Sequence, residues 1–121
     1  MALSASGMAR AADPTRITVP SGQEITLSEV LLDEAPGELW ARFRFVAPAI
    51  RAGGQGESAG DIDHLCTALA RPYLSHHGLA PARVVISLAS REVPFGSSAG
   101  DVTQFFETYR LEGETCVWEG F

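Results

Sequence analysis

One stretch, Leu39 to Val46, constrains this chain more than any other. Leu39, Ala41, Phe43 and Phe45 lie on one side of an extended backbone, and Trp40, Arg42, Arg44 and Val46 lie on the other. Alternation with a period of two predicts a strand with one face in the core and an arginine-bearing face toward water. Such a strand needs neighbours in a sheet and a cover for its apolar side.

The rest of the chain supplies candidates for both. Ile17 to Pro20 is a short extended stretch, closed by the turn Pro20-Ser21-Gly22. Glu24 to Leu32 alternates at Ile25 and Leu27 and less cleanly at Val30, which predicts a strand bulged near Ser28. Asp33 to Gly37 is turn chemistry, and the Gly/Ala-rich residues 47–60 read as a loop. Asp61 is placed to cap a helix running to about His77, with Ile62, Leu65, Cys66, Leu69 and Tyr73 on its apolar face. Pro72 falls inside that pattern and predicts a kink or a break, and Gly78 is the C-terminal cap. Arg83 to Ala89 is a strand of branched residues extending toward Val93, followed by a loop over Pro94 to Gly100.

Residues 102–109 fit a helix after Asp101 or a strand. Aromatic and β-branched enrichment before a Glu112-Gly113 turn favours a terminal hairpin with Thr115 to Trp118. A two-residue loop there sets Tyr109 opposite Cys116 and Glu107 opposite Trp118. The order β-β-β-α-β-β-β predicts an α+β fold, a mainly antiparallel sheet with one principal helix packed on a face.

At 121 residues the chain has the length of one domain. Residues 1–11 end in a small-x-small pattern, Ala9-Arg10-Ala11, and read as the remnant of a secretory signal peptide, leaving 12–121 as the domain. The alternative is a plain N-terminal tail, because no charged start and apolar run precede the pattern. No apolar run approaches the roughly 18 residues of a membrane-spanning helix. All nine basic residues are arginine, which excludes Schiff-base, phosphate-loop and general-base lysines. A net charge of −6 argues against a nucleic-acid partner. Cys66 on the helix and Cys116 on the last strand come within range if the helix packs on that sheet face, as a disulfide or as two separate buried thiols. An exported location, the periplasm, permits the first.

Several patterns resemble catalytic motifs. Gly96-Ser97-Ser98-Ala99-Gly100 matches a nucleophile elbow, but no histidine follows Ser98. Gly54 to Ala59 matches a degenerate dinucleotide fingerprint without the tight strand-to-helix turn that the motif requires. Asp61, Asp63, His64, His76 and His77 invite a metal reading, yet helix-dipole preferences explain acids at the start and histidines at the end. No cofactor is implied. Glu107 is the one charge on the expected core face of its strand, and Trp40, Arg42 and Arg44 together suit an acidic or anionic partner.

Val19-Pro20-Ser21-Gly22, Arg44-Phe45-Val46-Ala47-Pro48, His64-Leu65-Cys66 and Val85-Ile86-Ser87-Leu88 occur in order, followed by two C-terminal segments. These are Thr103-Gln104-Phe105-Phe106-Glu107-x-Tyr109-Arg110 and Cys116-Val117-Trp118-Glu119-Gly120-Phe121. In these the chain resembles a family of small exported alphaproteobacterial proteins of unknown function. Some members carry an acetolactate synthase label, which this chain does not support. A thiamine-diphosphate enzyme needs a far longer chain, and its regulatory subunit a βαββαβ repeat. The resemblance implies export and no chemistry. The reading is therefore a periplasmic, non-enzymatic binding protein that docks a protein partner through Trp40, Arg42 and Arg44 or through the end formed by Trp118 and Phe121. The alternative is a small-molecule or anion-binding protein, or a small enzyme, using Glu107, the histidines and Arg42 or Arg44.

Overall fold

A computed structural model describes residues 16–97 and 100–120. The proposed leader remnant, Ser98 and Phe121 lie outside the described residues. Six strands form one sheet in sequence order: β1 (Arg16–Ile17), β2 (Ile25–Asp33), β3 (Trp40–Val46), β4 (Arg83–Ala89), β5 (Gln104–Glu112) and β6 (Thr115–Glu119). Neighbours are antiparallel except β3 and β4. Between those two the chain leaves the sheet, crosses one face as helix and returns to the starting end, so the pair is parallel. The fold is α+β, as the pattern of elements predicts.

The two alternations that anchor the reading are present. In β3 Ala41, Phe43 and Phe45 are buried against the helical layer while the intervening side chains are only partly covered. In β2 the register shifts between Leu27 and Glu29, so Ser28 is the bulged residue. The extra residue keeps Leu27 and Val30 opposite Phe45 and Phe43, on the same face despite their odd spacing. β4 runs no further than Ala89, and its Val84–Ala89 stretch is buried, as a central strand of branched residues requires.

The helical layer departs from expectation in two ways. The first helix, α1, spans Gln55–Leu65, so residues 55–60 are helical rather than loop and Asp61 is not a cap. Low helix propensity in Gly56 and Gly60 is overridden by tertiary anchoring through Ser58 and Asp61, both buried. The second departure is a π-helical segment, Cys66–Ala70, leading into α2, Arg71–His76. Pro72 has no N–H to bond the Ala68 carbonyl and its ring would crowd it, so the helix widens just upstream. The Arg71 N–H bonds the Cys66 carbonyl across the wider turn. Widening changes the buried face: Ile62, Cys66, Ala70 and Leu74 are fully buried, while Leu69 and Tyr73 are only partly covered. At Gly78 the Leu79 N–H bonds back to the Leu74 carbonyl at 2.9 Å and ends α2.

The terminal hairpin exists, with a corrected register. Tyr109 pairs with Trp118 and Leu111 with Cys116. Gly113, at φ +61°, takes the first position of the two-residue loop with Glu114, so Glu112 stays in the ladder opposite Thr115. Faces are preserved because the slip leaves each residue's parity unchanged.

Candidate functional site

The face of the sheet away from the helices carries a lattice of cross-strand ion pairs. Glu29 on β2 stands opposite Arg44 on β3 and pairs with it. Asp33 accepts from Arg42 Nε at 3.0 Å and from its Nη2 at 2.9 Å. The Ala35 N–H, and then Arg42, hold the Asp33 carboxyl below its ordinary pKa. At the other end of the sheet Glu119 receives Arg83 at 2.7 Å and Arg110 at 2.6 Å. The charges of Arg42 and Arg44 are thus already met within the sheet.

A loop folds over this lattice. It begins beyond β4, where the Ser90 N–H bonds the Thr103 carbonyl at 2.9 Å and closes the loop base. Arg44 Nη2 donates to the Val93 carbonyl at 2.9 Å and holds the loop against the face. The Phe95 ring then sits 5.4 Å from the Arg42 guanidinium and 5.5 Å from that of Arg44. The Trp40 ring also lies 5.3 Å from the Arg42 guanidinium. The result is a pocket of about 200 Å³ with Val85 and Ser87 as its floor, Arg42 and Arg44 as one wall, and Gln104 and Phe106 as the other. Phe95 and Phe106 at its rim are 54% and 57% exposed, although both are large and apolar.

Arg42 and Arg44 line this pocket, and Trp40 adjoins it through Arg42. Phe95 and Phe106, which complete the pocket, were not foreseen as site residues. Phe106 was legible, since it alternates with Phe105 and so had to face away from the core. Phe95 sits in an irregular loop, where no periodicity reports direction.

Glu107 and Trp118 lie on the opposite, helix-bearing face and share no pocket with Arg42 and Arg44. Glu107 is half-buried at the margin of α1. Its carboxylate accepts from Gln55 Nε2 and from Trp118 Nε1, each at 2.6 Å. No arginine among the described residues pairs with it. Beside it Tyr109 donates its hydroxyl to Asp63. Burial pushes the Tyr109 phenol far above its usual pKa, helped by the bond to Asp63 and by the charges of Asp63 and Glu107. Ala59, Asp63, Glu107, Tyr109 and Trp118 enclose a recess of about 280 Å³.

The remaining candidates are structural in their contacts. Cys66 and Cys116 stand at disulfide distance, with Cα atoms 6.3 Å apart, and tie the π segment to β6. His77 packs at a tilt against Tyr73, with ring centroids 4.4 Å apart, and meets His76 edge-on at 5.0 Å, at the end of α2. No group of three or more His, Cys, Asp or Glu side chains able to hold a metal occurs among the described residues. Asp61 receives the Ser21 N–H at 3.0 Å, the Ser21 hydroxyl and Gln23 Nε2 at 2.7 Å. Burial works to raise its pKa, but the bonds from Gln23 and Ser21 outweigh it and hold the carboxyl below its ordinary value. No described helix is long and apolar enough to cross a membrane.

Over residues 2–121 the chain matches the Family of unknown function (DUF6497), and it belongs to that family. No curated protein matches the chain. No solved structure matches it either.

Proposed function

We propose that this member of a family of unknown function is a small exported binding protein, and that it docks a protein partner on the uncovered sheet face. The observation that carries the reading is the pocket between Phe95 and Phe106. Two exposed aromatic rings rim a concave site whose floor and walls are held rigid by strands and ion pairs. Its volume suits one inserted side chain better than a metabolite, since small-molecule sites run from about 300 Å³ upward. The inserted group is apolar or aromatic rather than a bare anion, because Arg42 and Arg44 already face Asp33 and Glu29. The two guanidiniums already lie against the Phe95 ring, so what the site offers a guest is the pair of exposed rings at its rim, Phe95 and Phe106. Export is supported by the disulfide-distance cysteine pair and by the leader-like start, which together fit an oxidising compartment.

The test is affinity capture from an envelope extract with the oxidised chain as bait. Three baits are compared: wild type, a Phe95→Ser, Phe106→Ser double variant, and Trp118→Leu. The same partner should be retained by wild type and Trp118→Leu and lost with the double variant. Equal recovery by all three would overturn docking at this face. N-terminal sequencing of the mature protein checks export separately, with cleavage after Ala11 as the expected result.

A further inference from the structure

We propose that the recess between α1 and β6 is a binding site for an organic ammonium group, held between the Trp118 indole and the carboxylates of Glu107 and Asp63. It lies on the helix-bearing face and is independent of the docking surface proposed above.

Charge sets this recess apart from the rest of the sheet. Glu29, Asp33 and Glu119 on the other face each meet an arginine. In the recess the pattern is different. Asp63 is satisfied by a tyrosine hydroxyl, and Glu107 by an amide and an indole N–H. All three donors are neutral. The two carboxylates line the same recess, and no cation among the described residues pairs with either of them. A cationic guest would supply what the fold leaves out.

The aromatic wall says what kind of cation. Trp118 is 58% exposed, yet its ring is held at both ends. Glu107 fixes the pyrrole N–H at 2.6 Å. The backbone of Gly120 lies against the far edge, so closely that a Cβ there would come within 2.5 Å of the ring. An exposed indole locked in one orientation offers a π face whose ordering cost is already met. A bare metal ion gains little here: calcium seeks six to eight oxygen ligands, and an indole supplies none. An alkylammonium gains from both walls, its charge toward the carboxylates and its carbons on the ring. The small side chain of Ala59 on α1 leaves the room, and about 280 Å³ holds an ammonium headgroup with a few carbons.

The chemistry is shared by a free amine and by a lysine side chain presented by another protein. Both are probed by titrating the ¹⁵N-labelled, oxidised full chain at low ionic strength. The probes are tetramethylammonium chloride, butylammonium chloride and an acetyl-Gly-Lys-Gly-amide peptide, with sodium chloride as the salt control. Saturable shifts of the Trp118 indole N–H and the Gln55 side-chain amide are expected, with affinity in about the millimolar range for a headgroup alone. The tighter of amine and peptide identifies the source. Glu107→Gln should weaken binding by about fivefold or more while leaving the rest of the spectrum in place. Asp63→Asn serves as a second variant on an exposed position, with the same expected direction. Shifts that follow sodium chloride equally, or affinities unchanged in both variants, overturn the proposal.

Discussion

At the scale of single residues Asp61 ties two distant parts of the fold together. It is 2% exposed, and it joins α1 to the turn after β1 through three hydrogen bonds from Ser21 and Gln23. Asp61→Asn keeps the size but replaces an acceptor with a partial donor facing donors. It should cost about 2 kcal/mol, read as a lower urea midpoint near neutral pH. The sign with pH follows from the depressed pKa. The stabilisation is complete above the unfolded carboxyl value, near 3.9, and is lost as pH falls through the folded value. The gap between wild type and Asp61→Asn should therefore narrow in acid, where the protonated carboxyl resembles the amide. A gap that stays constant down to about pH 2 would contradict this account. Asp61 also marks a limit of sequence reading. An aspartate before an apolar run is the usual sign of a helix cap, and nothing local distinguishes it from an aspartate two turns inside a helix. The distinguishing fact is Ser21 and Gln23, forty and thirty-eight positions away. Phe106, by contrast, was readable from its neighbour alone.

At the scale of elements the π segment shows how one residue re-aims a whole helix. Proline at position 72 was visible as a disruption, but the sequence could not say whether the helix would bend, break or widen. It widens, and the sheet-facing row becomes Ile62, Cys66, Ala70 and Leu74 in place of the α-periodic row through Leu69 and Tyr73. The two rows predict different mutational costs. Leu74→Ala should destabilise the oxidised protein by about 3 kcal/mol, and Leu69→Ala by clearly less, in parallel urea titrations. The reverse ranking would mean that the helix keeps α periodicity through Pro72. Strands were more legible than helices because a period of two survives local irregularity. Even the bulge at Ser28 showed itself, as a single break in the alternation of β2. The terminal hairpin is legible in the sequence but its register is not, since Glu112-Gly113 and Gly113-Glu114 are both acceptable turns until Gly113 is seen at positive φ.

At the scale of the whole molecule the sheet separates two different surfaces. One face holds the helical layer; the other holds the ion-pair lattice and the aromatic pocket. Composition and charge could not locate that pocket, because its roof comes from a loop and its arginines are neutralised by acids on another strand. What binds the two layers covalently is the link from Cys66 to Cys116, across a separation of 50 residues. Closing a loop of that length removes unfolded-chain entropy worth about 4 kcal/mol, so the reduced chain should unfold at a correspondingly lower urea concentration. The same link should decide how the sheet opens. β4 is buried on both faces and sits between two partners, so its amides should exchange only by global unfolding, oxidised or reduced. Among the described residues β6 pairs with β5 alone, and it is attached to the helical layer through Cys116. With the disulfide intact, β6 amides should exchange together with those of β4. After reduction they should exchange first, through local opening of the hairpin, while β4 is slowed only by what global stability remains. Hydrogen exchange followed by NMR in the two redox states reads this directly. If β6 and β4 lose protection in step after reduction, hydrogen bonding to β5 and the Glu119 ion pairs suffice to hold the edge, and the cysteine link acts on the unfolded chain alone.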